Sequence, residues 1–525
     1  MDKFKIKDTL KHWDKIKLPI FFESILVGLI AGGVVVLYRF LLIKAEDIRN
    51  IVYIGARQGN FLITALWVGF LIIAGFIIAF IIKKVPMVKG SGIPQVKGVL
   101  LRQFRMQWGK ELVAKFIGGV LSLGAGLSLG REGPSIQLGA HVGMGVSKTF
   151  KRPVLEQRYL ITCGASAGLA AAFNAPLAGV MFSLEEMHKS FSPVVLTSAM
   201  LSALTADFVS QRFFGQQPVF NFTGVKALPV SFYLHLLILG IILGLLGVLF
   251  NKFLVLSQDL YSKIKFIKTE YKVFIPIIIA IGLGFILPQV LGGGNELIVA
   301  INKTNPGILM LVILIVIKFT FTMVSYGSGA PGGIFLPLLV IGALVGKLYA
   351  TIGINFFGIT PEYGVNFIIL AMAAYFTAIV KAPITGSILI TEMTGSFSHL
   401  LGLMTISMTA YITAELLKSK PVYDLLLSRM LKNKGHNDFV GDEIKKVLLE
   451  AAVAISSEAE DKRVSEVEWP QQSLLVSIRR GESEIIPKGD TVLYAGDYIT
   501  VLTSEALASK AKKKLHKLCK ENFKP

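Results

Sequence analysis

The chain has 525 residues, 53% of them hydrophobic and only 17% charged, and its mean hydropathy is +0.64. A chain this apolar is not disordered, and its two cysteines, Cys163 and Cys519, make no disulfide scaffold. The net charge of +20 suggests a nucleic-acid binder, but the charge does not lie where such a protein needs it, and the composition is that of a membrane protein.

Residues 1–18 carry six lysines together with Asp2, Asp8 and Asp14 and lack a small-residue cleavage site. They predict a cytoplasmic amphipathic segment, not a cleaved signal peptide. Phe61 to Ile82, Phe232 to Leu254 and Val273 to Leu291 are each long and apolar enough to span a bilayer as helices. Elsewhere Gly and Pro interrupt the apolar sequence, at Gly90-Ser91-Gly92-Ile93-Pro94, Gly130-Arg131-Glu132-Gly133-Pro134, Asn174-Ala175-Pro176 and Gly329-Ala330-Pro331-Gly332-Gly333. Lipid cannot satisfy backbone groups freed by such breaks, so broken helices are expected inside protein or beside an aqueous cavity. Transporters and channels use them as ion sites.

The chain also repeats itself. At a shift of 203 residues, 12 of 31 positions are identical between 113–143 and 316–346, among them Lys115/Lys318, Gly126/Gly329, Gly130/Gly333 and Pro134/Pro337. At a shift of 207 the match resumes, with Ala175-Pro-Leu-Ala-Gly179 against Ala382-Pro-Ile-Thr-Gly386 and Glu185 against Glu392. Two repeats with interrupted helices predict a site where they meet. The residues alone leave open whether the repeats run parallel or inverted.

A helix start exposes unpaired N–H groups and partial positive charge, and so attracts anions. Ser91 followed by Gly92, Ile93 and Pro94 reads as a start with a capping hydroxyl. Gly130 to Pro134 and Gly333 to Pro337 read similarly. With Arg131, Lys115 and Lys318 nearby, these starts predict an anion path. Glu132 is a carboxylate placed to compete with the permeating anion, and an intramembrane acid is a functional candidate by default. Glu185 and Glu186 form a second acidic candidate. Tyr423, by itself, reads as an interfacial aromatic anchor.

Gly-Ser-Gly-Ile-Pro at 90–94, Gly-Arg-Glu-Gly-Pro at 130–134, Asn-Ala-Pro-Leu-Ala-Gly with Glu-Glu-Met at 174–187, and Gly-Gly-Ile-Phe-Leu-Pro at 332–337 resemble, in sequence and in order, the signature segments of the CLC family of chloride channels and proton-coupled transporters. The resemblance covers roughly residues 20–425. It implies an all-α polytopic membrane fold, an inverted repeat of broken, tilted helices, and a homodimer with one pore per subunit. It further implies that the Ser91 and Tyr423 hydroxyls coordinate chloride with the backbone N–H groups of Ile334 and Phe335. Glu132 is then the gating glutamate and Glu186 the internal proton-transfer glutamate. Passive channels of the family usually lack a carboxylate at that second place, so Glu186 implies chloride/proton exchange. Ser91 implies chloride, its counterpart being commonly Pro in nitrate-preferring members and Met in the fluoride branch.

The expected boundaries are 19–425 for the membrane domain, with halves of about 19–215 and 228–425, 426–445 for a linker, and 446–525 for a soluble α+β domain. Within the latter, Leu474 to Arg480 and Glu484 to Thr503 read as short strands with turns at Pro487-Lys488-Gly489-Asp490 and Gly496-Asp497, flanked by helices at 443–454 and 504–520. The pattern from Ile486 to Ile499 resembles the C-terminal subdomain of RCK (TrkA-type) regulators of potassium transport. That implies a cytoplasmic regulatory module for a small ligand or ion, with an assembly domain lacking a ligand as the other reading. The run Lys512 to Lys517 reads as a solvated helix face. The histidines show no metal-ligand spacing, and Gly342 to Lys347 lacks the ending of a phosphate-binding loop, so neither an enzyme nor a cofactor is expected. The leading expectation is a chloride/proton antiporter of the cell membrane with both termini cytoplasmic. The alternatives are a passive chloride channel of the same fold and a membrane sensor that no longer transports.

Overall fold

A computed structural model of the chain describes residues 3–189, 192–220, 222, 225–432, 446–481, 483–504 and 507–520, with side chains from Leu18 onward. The described residues form two compact units that divide after Leu427. The first is helical throughout. Its first half runs α1 (Lys3–Arg57), α2 (Phe61–Lys84), α3 (Ile93–Leu100), α4 (Trp108–Gly124), α5 (Glu132–Thr149), α6 (Val154–Phe173), α7 (Pro176–Phe182) and α8 (Pro193–Phe214). The second half repeats the order with α9 (Tyr233–Lys263), α10 (Phe274–Ile286), α11 (Asn295–Lys303), α12 (Ile308–Gly327), α13 (Phe335–Phe356), α14 (Gly364–Val380), α15 (Pro383–Thr394) and α16 (Leu400–Leu416); α17 (Val422–Lys432) follows. Among the described residues nine helical segments are long and apolar enough to cross a membrane. The expected amphipathic segment at 1–18 lies mostly outside the residues with described side chains, though its backbone from Lys3 belongs to α1.

The helices pack through small residues. A Cβ at Gly139 of α5 would run into the Gly164 carbonyl of α6, and one at Gly342 of α13 would meet the Ala371 carbonyl of α14. Such close approach replaces the hydrophobic drive that lipid does not supply. It also makes α5, α6, α13 and α14 the buried centre, with the breaks between helices facing one another there.

The two halves are laced at equivalent points. Gly130 and Gly333 exchange both backbone hydrogen bonds, at 2.6 and 2.7 Å, in an antiparallel bridge. Gly90 N–H donates to the Gly329 carbonyl and, in the mirrored contact, Gly292 N–H donates to the Gly126 carbonyl. Gly126 and Gly329 turn the chain at φ of +88° and +81°, a left-handed conformation that a side chain would strain.

The buried lysines correct the sequence reading. Lys115 Nζ donates to the Val88 and Gly90 carbonyls, and Lys318 Nζ donates to the Val290 and Gly292 carbonyls. Each ammonium gathers two carbonyls of the turn before a half-helix, one of which, Gly90, also accepts the Gly332 N–H, and this is a structural task; neither is placed as a ligand for a passing anion. Glu185 and Glu392 are exchanged in the same spirit. Glu185 accepts from the Ile384 and Thr385 N–H groups at the start of α15, and Glu392 accepts from the Leu177 and Ala178 N–H groups at the start of α7. Each carboxylate caps the other half's helix, where the dipole favours it.

The second unit holds a four-stranded antiparallel sheet of β1 (Lys446–Ala452), β2 (Leu474–Arg480), β3 (Ser483–Ile485) and β4 (Tyr498–Ser504) in the order β1-β4-β2-β3, with α18 (Ala508–Cys519) beside it. Val453, Ile478, Leu493, Ile499, Val501, Leu515 and Leu518 form its core. The helix expected at 443–454 is wrong. Residues 446–452 pair with β4 from Lys446↔Ser504 to Ala452↔Tyr498, with exposed and half-buried positions alternating. Leu, Glu and Ala favour a helix locally, and the free edge of β4 overrides that preference. Residues 433–445, the bulk of the expected linker, lie outside the described residues.

Candidate functional site

Two of the three helix starts named from sequence begin as expected. α5 opens at Glu132 and α13 at Phe335, with Ile334 as its cap residue, and the Gly130–Gly333 bridge sets the two starts against each other. The third differs. Ser91 does not cap α3; the cap residue is Gly92, held at φ +94°, and Ser91 Oγ has no hydrogen-bond partner although it is buried. That hydroxyl lies against the first turn of α5, since a Cβ at Gly133 would stand 2.5 Å from it.

Glu132 is fully buried and folds back over Gly130. One carboxylate oxygen, Oε2, accepts from the Leu336 N–H in the first turn of α13 at 3.3 Å, while Oε1 has no partner. An acidic side chain thus occupies the positive end of the opposite half's helix, the place where a free anion would also be held. Arg131, beside it, lines a small cavity of about 40 Å³ with Glu46, Arg49 and the Gly292–Asn295 turn.

Tyr423 closes the group from α17. Its ring packs edge-on against Phe182 at 6.1 Å, and Phe182 packs against Phe335 at 6.0 Å. The tyrosine is 0% exposed and its hydroxyl has no partner. The interfacial anchor read from its position is therefore set aside, because an anchor keeps its hydroxyl in the headgroup region. Buried polar atoms are ordinarily paired. Ser91 Oγ, Tyr423 Oη and Glu132 Oε1 are orphans in one region, around a helix start rich in N–H donors.

Glu186 stands apart from Glu185, with which the sequence grouped it. Both lie in a π-helical turn, Ser183–His188, which rotates Glu185 to α15 and leaves Glu186 facing α3. There its Oε1 accepts from Lys97 Nζ at 2.7 Å, and Lys97 also pairs with Asp424, the residue after Tyr423. Sequence reasoning missed Lys97, Asp424 and the Leu336 N–H. Lys97 stands six residues after Ser91, in the same half-helix segment, and that spacing was a signal available in the sequence. Among the described residues no cluster of histidine, cysteine and acidic side chains is set to hold a metal.

Comparison with known proteins bears on this arrangement. A family profile described as "Voltage gated chloride channel" matches residues 74–415, and a TrkA-C domain profile matches residues 448–516. The H(+)/Cl(−) exchange transporter ClcA of Vibrio cholerae serotype O1 is 37% identical over 446 residues, covering 82% of this chain and 94% of that protein. The protein of the same name from Salmonella schwarzengrund is 34% identical, covering 80% and 91%. The crystal structure of a slow cyanobacterial Cl−/H+ antiporter superposes with a TM-score of 0.74 at 32% identity, covering 79% of this chain and 99% of that one. A CLC-type fluoride/proton antiporter shares the fold, with a TM-score of 0.64 at 23% identity.

Proposed function

The chain belongs to the voltage-gated chloride channel family, and we propose that it is a secondary transporter exchanging chloride for protons. The observation that carries this reading is the Glu132 carboxylate seated on the α13 start, 3.3 Å from the Leu336 N–H, beside the unpartnered hydroxyls of Ser91 and Tyr423. Chloride is held by those hydroxyls and by the N–H groups of Ile334 and Phe335. Chloride and the Glu132 carboxylate compete for one positive pocket, so an arriving chloride displaces the side chain and favours its protonation. Glu186 passes the proton between Glu132 and the cytoplasmic side. Coupling is then linkage between two ligands of one site. A passive channel needs no buried acid at residue 186, and this is what favours exchange.

The protein works as a homodimer with a separate pore in each subunit and both termini in the cytoplasm. Residues 446–525 form a regulatory domain that takes a small ligand or ion; the linker expected at 426–445 begins later, because residues up to Lys432 belong to α17. No cofactor is required by this reading; chloride and protons are cargo.

The test is chloride and proton flux measured together in liposomes. Glu132→Gln should keep chloride movement and lose chloride-driven proton flux. Proton flux that persisted in this variant would overturn the gating role, and wild-type protein that moved chloride with no coupled protons would establish the channel instead.

A further inference from the structure

The least expected group in the membrane unit is the ammonium of Lys97, 2% exposed and enclosed by carboxylates. It contacts Glu186 Oε1 at 2.7 Å and also Asp424, whose second oxygen pairs at 2.7 Å with the half-exposed Lys189. Four charges therefore run in a line from buried to open: Glu186, Lys97, Asp424, Lys189. A buried cation is tolerated only while its neighbours satisfy it, carbonyls in the case of Lys115 and Lys318 and carboxylates in that of Lys97. If Glu186 were its sole partner, protonating Glu186 would strand it, and the pair would resist any proton. Asp424 removes that obstacle, because it offers the ammonium a second resting place one residue from Tyr423. Matching Gly90 with Gly292, a shift of 202, puts Val299 at the place of Lys97, and the shift of 207 puts Met393 at that of Glu186, so among the described residues the other half has no counterpart of this ion pair.

We propose that Lys97 is a positioning residue for proton transfer: shared between Glu186 and Asp424, its ammonium holds the Glu186 carboxylate charged and aimed until a proton arrives, then rests on Asp424 while Glu186 carries the proton. This rests on the reading of Glu186 as the internal proton-transfer group. Lys97 keeps its own protons throughout; the transported proton binds a Glu186 carboxylate oxygen and leaves from it. With Glu186 charged the four groups sum to zero, and with Glu186 protonated they sum to one positive charge, which the Lys189 end shares with solvent. The other groups facing this turn are the Tyr423 phenol and, on α6, Arg158 and Tyr159, which stand at His188 on its far end. α7 brings no charge to it.

The test uses the full chain in liposomes, with proton flux driven by a chloride gradient recorded across a series of internal pH values. Lys97→Met removes the positive charge, so Glu186 holds its proton to higher pH, and the midpoint of the proton-flux profile should rise by about one pH unit. Lys97→Arg should restore the wild-type midpoint. Asp424→Asn leaves the ammonium to Glu186 alone and should move the midpoint the other way; this opposite sign is a result that a merely structural lysine would not produce. Glu186→Gln is run alongside. If it abolishes proton flux while neither the Lys97 nor the Asp424 variant moves the midpoint, the proposal falls and the role of Glu186 stands. If coupled flux survives Glu186→Gln, both fall. Should Lys97→Met fail to fold, Lys97→Arg and Asp424→Asn decide the matter by the same criteria.

Discussion

The halves of the membrane unit hold their helices with the same residues and place their chemistry with different ones. Lys115 and Lys318 each tie two carbonyls, and Glu185 and Glu392 each cap a helix of the opposite half. At the tips the symmetry ends. Glu132 aligns with Phe335, Lys97 with Val299 and Glu186 with Met393, while Tyr423 lies beyond the second repeat. A duplicated scaffold supplies two facing helix starts; a site that must bind an anion on one side and pass a proton on the other needs them to differ. On the proposed function, identity between repeats marks support and difference marks function.

This contrast can be broken most forcefully at the lysines. Lys318→Met takes the ammonium donor from the Val290 and Gly292 carbonyls and should lose about 3 kcal/mol or more of stability in thermal unfolding of the detergent-solubilised protein, while Lys115→Met should lose somewhat less, because the Gly90 carbonyl keeps the Gly332 N–H. A large effect at one and none at the other would mean that the two turns are not equivalent. The glycine contacts come next. Gly139→Val and Gly342→Val push side chains into facing backbone and should each destabilise by about 2 kcal/mol, read the same way. The acidic pair separates the two classes most cleanly. Glu392→Gln weakens a helix cap and should lower stability by about 1 kcal/mol while leaving the proton-to-chloride ratio intact. Glu186→Gln should do the reverse, and a shared phenotype would erase the distinction.

The smallest effect is a control outside the repeats. Asp497 accepts two hydrogen bonds from Arg480, each at 2.8 Å, and one from the Tyr494 N–H, and these partners hold its carboxyl below the usual range. A depressed value in the folded state means that the stabilisation is present above about pH 4, the unfolded value, and is lost as pH falls through the folded one. Asp497→Asn should therefore speed hydrogen exchange of the β4 amides at neutral pH, by an amount on the order of 1 kcal/mol given the part-exposed arginine, and the difference should shrink as the pH falls below about 4. Transport by the membrane unit in the absence of any tail ligand should not change.

Sequence pattern exposed the repeat, the breaks and the starts of α5 and α13, because glycine, proline and shifted identities are local signals. The repeat matched Glu185 to Glu392 and the family resemblance singled out Glu186, but neither showed their partners, since a π-helical turn rotates Glu185 to Thr385, 200 residues on, and Glu186 to Lys97, 89 residues before it. The pattern misread Ser91 as a cap because a hydroxyl before Gly-x-Pro usually serves that purpose; here Gly92 takes the position and the hydroxyl is left over. The lysines looked like anion ligands because their charge was visible and their carbonyl partners were not. β1 looked helical for an equally plain reason: Leu, Glu and Ala report an intrinsic preference, and only the neighbouring strand shows what they pair with.

The exchange of main-chain bonds between Gly130 and Gly333 limits how this protein can move. Rocking the halves apart to face first one solution and then the other would part this bridge and free two buried amides and two carbonyls, a cost that water would have to enter to offset. On the proposed reading of Glu132, alternation at such a seam is left to a single rotating carboxylate. Its pace should then follow torsional barriers and dehydration of that one group, with little regard for the thickness or stiffness of the surrounding lipid.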